Sequence, residues 1–163
     1  MSRIFDNVES LRRHADANNE KLVVTSGGFD PMHVGHLRCL IESSNIARSE
    51  GDDVRLAVIV NGDGFLVRKK GKPFMSEAER MEIIAGVKGV DYVVSWDDGG
   101  QTVVGAIKSL RPIAFTKGGD RDSASNVPEF DVCDSIGAKV IFGVGGGKIQ
   151  SSSWLIENAK TGD

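Results

Sequence analysis

The chain predicts an α/β domain with a parallel sheet of about five strands flanked by helices, because short apolar runs rich in β-branched residues alternate with amphipathic segments along its length. Two further observations support that class. The first apolar run, Lys21-Leu22-Val23-Val24-Thr25, ends in a glycine turn from which a helical apolar pattern starts, the arrangement of a strand feeding a helix. No internal repeat, low-complexity tract or Pro/Ser-rich linker divides the 163 residues.

Taken in order, a helix is predicted over residues 6–17, ahead of the strand at 21–25. Val34, Leu37, Leu40, Ile41 and Ala47 then recur at helical spacing. Residues 54–60 form a second buried run that ends at Asn61-Gly62-Asp63-Gly64. A helix over 76–87 follows, with Ser76 and Glu79 matching a capping box. Strands at 92–95, 113–115 and 139–142 alternate with helices near 101–110 and 128–136, and a last helix begins around Ser151. In such a sheet the ligand lies beyond the carboxyl ends of the strands, where the loops at Gly27, Asn61, Lys117 and Gly145 fall.

Composition bounds the partners. With 40% hydrophobic and 26% charged residues the chain fits one domain with a good core. A pI near 5.6 argues against nucleic acid held by a broad basic surface. The exception is Arg68-Lys69-Lys70-Gly71-Lys72, which reads as a solvated loop or, from its place after the second strand, as a triphosphate contact. No apolar run reaches about 18 residues and nothing resembles a signal peptide, so no membrane span is expected. The two unpatterned cysteines, Cys39 and Cys133, suit a reducing cytoplasm. They also form no metal-binding pattern with the histidines, and no protein metal ligand is expected.

The run Gly27-Gly28-Phe29-Asp30-Pro31-Met32-His33-Val34-Gly35-His36 carries the most information. Amides at a helix start have no intrahelical partners and attract phosphate. Gly27 and Gly28 let the backbone approach such an anion, Gly35 leaves room between the histidines, and His33 and His36 supply donors on one helical face. A strand-to-helix turn often contains glycines, and a lone histidine is usually surface or satisfied core. Two of the chain's three histidines falling three apart after that turn favour a nucleoside triphosphate site.

These residues resemble the HxGH signature of the nucleotidylyltransferase superfamily, the cytidylyltransferase-like group. The resemblance continues through Lys70-Gly71, the segment from Lys72 to Met81 with Arg80, Val90 to Trp96, Lys117-Gly118-Gly119-Asp120 and Ser151-Ser152-Ser153, over about residues 21–158. The segments Val90 to Trp96 and Lys117 to Asp120 look most like the adenylyltransferase domain of the bifunctional enzyme that makes ADP-heptose. Glycerol-3-phosphate cytidylyltransferase is similar too. The resemblance implies a single Rossmann-like domain at 21–163 behind an N-terminal helical extension at 1–20, a cytoplasmic homodimer, and Mg²⁺ carried by the nucleotide.

It also implies roles. His33 and His36 would stabilise the transition state at the α and β phosphates, and Lys70 would reach the triphosphate and the acceptor phosphate. Arg80 would approach the acceptor phosphate, with an ion pair to Glu77 as the plain alternative. Asp30 would orient the acceptor or its water, with an Asx turn as its alternative. Gly27, Gly28, Phe29, Gly35 and Lys117 would line the nucleotide, Gly118, Gly119 and Asp120 would clamp the nucleoside, and Ser151, Ser152 and Ser153 would gather around the outer phosphates. Trp96 and its neighbours would contribute to a dimer interface.

Small cytidylyltransferases carry arginines where this chain has Lys88-Gly89-Val90-Asp91-Tyr92-Val93 and Gly145-Gly146-Gly147-Lys148, a departure that favours ATP over CTP. The expected activity is transfer of AMP from ATP to a phosphorylated sugar or small polyol phosphate. A CTP-dependent enzyme acting on an alcohol phosphate and a catalytically silent nucleotide-binding domain are the alternatives. Residues 121–129 and the loop Asp97-Asp98-Gly99-Gly100 are expected near the acceptor.

Overall fold

A computed structural model describes residues 3–119, 128–147 and 150–160. Among them the elements run β1 (Arg3–Phe5), α1 (Val8–Ala17), β2 (Lys21–Gly27), α2 (Val34–Glu50), β3 (Val54–Asn61), α3 (Asp63–Lys70), α4 (Glu77–Ala85), β4 (Tyr92–Trp96), α5 (Val104–Leu110), β5 (Ala114–Gly118), α6 (Phe130–Ile136), β6 (Lys139–Val144) and α7 (Ser152–Lys160). The strands form one sheet in the order β1-β4-β3-β2-β5-β6. Every pairing is parallel.

The sheet therefore has six strands, not five. The additional one, β1, is three residues long and pairs only with β4. It is too short to show a period, and Ile4 at its centre faces solvent. The segment before residue 21 is thus more than a helix, since α1 also packs against α5 and β4. A second difference lies at 63–70, where the sequence pattern predicts no element and the chain folds as α3. Phe65 and Leu66 bury against the core. Asp63 opens that helix and Arg68, Lys69 and Lys70 close it, the charge order that the helix dipole favours.

Two apolar layers sandwich the sheet. One joins α1, α5 and α6 through residues such as Leu11, Ile107, Leu110 and Cys133. The other joins α2 and α4 through Leu40, Ala47, Met81 and Ile84. In α2 the apolar pattern is only half buried, for Leu40 and Ala47 are inside whereas Val34, Leu37 and Ile41 are exposed. Trp96 packs its ring against the first layer, directly over Gly105, where an added Cβ would meet the indole at 2.5 Å. From β2 the chain builds β3 and β4 to one side and β5 and β6 to the other. The carboxyl ends of β2 and β5 therefore border the switch point at which such sheets open a ligand crevice.

Candidate active site

A cleft of about 460 Å³ opens at that switch point. Its walls bring together Gly27, Gly28 and Phe29 after β2, His33, Gly35 and His36 at the start of α2, Lys117, Gly118 and Gly119 after β5, and Ser151, Ser152 and Ser153 at the start of α7. Segments distant in sequence thus meet in one cavity. Asp120 lies outside the described residues.

The histidines are held by a reciprocal cap. His33 is the N-cap of α2 and its Nδ1 accepts from the Gly35 amide at 3.1 Å, while the His33 amide donates to His36 Nδ1 at 3.2 Å. A neutral imidazole with its Nδ1 lone pair so engaged carries its proton on Nε2. Burial lowers the pKa of both rings, and with the charge of His33 brings His36 down to about 4. Each ring is thus a neutral Nε2–H donor near pH 7. The rings stack 3.8 Å apart at 22°, and the Phe29 ring meets His36 edge-on at 5.0 Å. Phe29 sits at φ 53°, a left-handed conformation that costs a non-glycine residue energy and that tends to persist at functional sites. Gly27 makes room for it, since an added Cβ would stand 3.0 Å from the Phe29 ring. Gly35 is needed for the same reason: a Cβ there would lie 2.9 Å from His33 Cε1.

The serines open α7. Ser151 Oγ accepts from the Trp154 amide at 3.0 Å as an N-cap, and Ser152 Oγ donates to Pro31 O at 2.7 Å, tying this helix to the motif turn. Two helix N-termini therefore converge on the cleft, and their free amides and dipoles favour an anion. Gly118 lets β5 run close to α2 and β6, since a Cβ would meet Val144 O at 2.9 Å and Cys39 Sγ at 3.1 Å.

Three predicted residues lie behind these walls rather than on them. Asp30 is only 2% exposed, accepts from the Phe74 and Met75 amides at 2.7 and 2.6 Å, and pairs with Lys70 Nζ at 2.9 Å. Burial raises its pKa, but the Lys70 bond, the two amides and the Lys70 charge together hold it below the usual carboxylate range. Lys70 also donates to Asp30 O at 2.6 Å, so in this state it clamps the motif turn. Arg80 is 0% exposed. Its guanidinium donates to Met75 O at 3.1 Å, Gly28 O at 3.0 Å, Asn61 O and, at 2.7 Å, the Asp63 carboxylate. The partner of Arg80 is Asp63, not Glu77, and every guanidinium nitrogen is engaged, so the side chain ties the turn after β2 and the end of β3 to the segment before α4.

The cleft also contains residues that the motifs did not single out, among them Asn61, Lys69, Gln101 and Glu129. Lys69 stands inside the basic run, where only position along α3 separates it from Lys70. Asn61 ends a buried strand, and Glu129 precedes a short helix. The segment 88–93 leads into the amino end of β4 and none of its residues lines the cleft. Its lack of arginine therefore does not bear on the base, whereas Gly145 and Gly147 do line the cleft.

The described residues contain no group of three or more His, Cys, Asp and Glu side chains placed to hold a metal ion, and none of their helices is long and apolar enough to cross a membrane.

Known proteins resemble this chain in sequence and fold. The chain is 36% identical over 149 residues to the bifunctional protein HldE of Pseudomonas putida, covering 90% of this chain and 28% of that protein. It is also 36% identical over 138 residues to HldE of Geobacter metallireducens, covering 83% of this chain and 26% of that protein. It thus spans about a quarter of the length of these relatives. The lipopolysaccharide core biosynthesis protein of Thermoplasma volcanium superposes with a TM-score of 0.57 at 26% identity over 80% of this chain and 97% of its own. The macrolide-efflux protein of Streptococcus pneumoniae, at 17% identity, TM-score 0.59, 94% of this chain and 53% of its own, shares the fold. The cytidylyltransferase-like family model matches residues 24–133, a span that holds both histidines, Lys70, Arg80 and the Lys117-Gly118-Gly119 turn, and the chain belongs to that family.

Proposed function

We propose that the protein transfers AMP from ATP to the phosphate of a phosphorylated sugar of the heptose 1-phosphate kind, or of a small polyol phosphate, and releases pyrophosphate. The observation that carries this reading is the histidine pair, two neutral Nε2–H donors fixed by their own helix in a cleft where two helix N-termini meet. The likeness to HldE supports the sugar phosphate.

An acceptor phosphate is ionised at neutral pH and needs no strong base. One of its oxygens attacks the α-phosphorus, the bond from that phosphorus to the β-bridging oxygen breaks, and pyrophosphate leaves with the electron pair. His33 and His36 donate to oxygens whose charge grows as that bond breaks, Lys117 neutralises phosphate from β5, and the amides at Ser152 and Ser153 cradle the outer phosphates. With histidines, lysines and serines rather than carboxylates around the phosphates, Mg²⁺ would enter on the triphosphate, held by its oxygens and water, and offset its charge. Lys70 reaches a phosphate only by leaving Asp30, so acceptor binding and release of that clamp are coupled. The homodimer implied by the family resemblance is read by analytical ultracentrifugation.

The test is pyrophosphate release with Mg²⁺ and each of ATP, CTP, GTP and UTP against sugar 1-phosphates and glycerol 3-phosphate, with His33→Ala as the blank. Release with ATP and a sugar phosphate, lost in the variant, is expected. Release with CTP alone would move the protein to cytidylyl transfer, and ATP binding without release from any pair would leave a silent nucleotide-binding domain.

A further inference from the structure

Two side chains in the cleft end in buried acceptors that none of the described residues satisfies. Asn61, the last residue of β3, is 7% exposed, and Glu129, at the N-cap of α6, is 4% exposed. Among the described residues Asn61 Oδ1 and Glu129 Oε2 have no hydrogen-bond partner. Glu129 Oε1, by contrast, accepts from the Val103 amide at 3.3 Å, which anchors the carboxylate to the start of α5 and leaves its second oxygen over. Both residues line the same cleft as His33 and His36.

Buried polar atoms in folded proteins are almost always paired, and an orphan in a ligand cleft marks where the ligand supplies the partner. The chemistry of that partner follows from the donor set. A carboxylate oxygen and an amide oxygen are both acceptors, so the ligand presents hydrogens to these two atoms, and a phosphate oxygen set against them would be repelled. The position agrees. Val103 and Glu129 belong to elements of the α1, α5 and α6 layer, across the sheet from the layer of α2 that carries the histidines. Phosphates held by the histidine side therefore leave this wall to the uncharged end of a ligand.

We propose that Asn61 and Glu129 form the hydroxyl-reading wall of the acceptor subsite, each accepting from one hydroxyl of a polyhydroxylated phosphate monoester. This rests on the transfer reading only in taking the ligand to be the acceptor. Selection by such a wall is steep, because an analogue without the hydroxyl leaves the buried acceptors unpaired.

Two matched probe pairs test it: mannose 1-phosphate against cyclohexyl phosphate, and glycerol 3-phosphate against propyl phosphate. Their binding is measured by calorimetry to the full chain and to Glu129→Gln and Asn61→Ala. In Glu129→Gln the side-chain oxygen keeps the Val103 amide and an NH₂ replaces the orphan oxygen, so an acceptor becomes a donor without loss of the anchor. The wild-type protein should prefer the hydroxylated member of at least one pair by about tenfold or more, and either variant should reduce that preference to within about twofold. ATP affinity should be unchanged. No preference in the wild type for either pair, or a preference that survives both substitutions, overturns the proposal. Tighter binding of phosphoethanolamine than of both polyol phosphates overturns it in favour of an ammonium ligand. A fall in the preference for ATP over 2′,3′-dideoxy-ATP in Glu129→Gln, with the acceptor preference intact, overturns it by placing the ribose there. The transfer reading fails separately, by absence of pyrophosphate release from the wild type, and that result leaves these binding ratios to be read on their own.

Discussion

At the scale of single residues, the two histidines show how a backbone can set side-chain chemistry. Because each Nδ1 accepts an amide of the same helix start, each ring is fixed as an Nε2–H donor, and under the proposed function replacing either by alanine removes one donor from the transition state. Such a loss is typically about 3 kcal/mol, so His33→Ala and His36→Ala should each lower kcat by at least about a hundredfold in the pyrophosphate assay. The same geometry has a pH consequence. His36 titrates near 4 when folded against 6.5 when free, so as pH falls the unfolded chain takes up the proton first. Its contribution is therefore complete above about pH 6.5 and is lost as pH falls toward 4, and Tm in that window should fall more for the wild type than for His36→Gln. Equal slopes would show that the ring is not held neutral. Arg80 acts differently. Buried, with four acceptors around one guanidinium, it joins separate stretches of the backbone, and Arg80→Met would leave three backbone carbonyls without donors. That should cost at least about 3 kcal/mol, or roughly 6–12 °C in Tm, while Arg80→Lys recovers part of it. A kcat loss in Arg80→Met with unchanged Tm would instead assign it to the chemistry.

At the scale of elements, α2 separates what the sequence makes legible from what it does not. Its start could be read, because a glycine turn and histidines three apart state the helix boundary, and the structure places those residues in one cleft. The capping box at Ser76 and Glu79 was legible for the same reason, being local, and it caps α4 as expected. The fate of Val34, Leu37 and Ile41 was not, since helical spacing reports a period but not which neighbours cover the face. Arg80 and Asp30 show the same limit at the site: their residue types suit phosphate or acceptor contacts, but most of their partners are 17 to 52 residues away. Within α2, Gly35 makes a sharp test. Alanine is the better helix former by about 1 kcal/mol, so on propensity alone Gly35→Ala should stabilise. Its Cβ would stand 2.9 Å from His33 Cε1, however, and must push the ring off its cap. The variant should keep or nearly keep the wild-type Tm yet lose about tenfold or more in kcat, and full activity would mean that the cap does not set the histidine.

At the scale of the whole molecule, the alternation of apolar and amphipathic segments sufficed for the class, for a parallel sheet and for the end at which the loops converge, because those depend on chain order and period. The sixth strand escaped notice because three residues at an edge carry no period, and α3 because its last turn is a run of cations that reads equally as solvated loop. The cleft itself is a property of the assembled sheet, closed by turns after β2, β3 and β5 and by the starts of α2 and α7. A ligand that fits it bridges elements from both layers, which no unfolded chain can present together, so it must raise the stability of the whole domain. At about a hundred times its dissociation constant a nucleotide adds about 2.7 kcal/mol, or roughly 5–11 °C in Tm for a chain of this size. ATP with Mg²⁺ should give that shift, and CTP at the same concentration a smaller one. An equal or larger shift with CTP would transfer the assignment to cytidylyl transfer and would mean that the glycines at 145 and 147, not any arginine, suffice to line a cytosine.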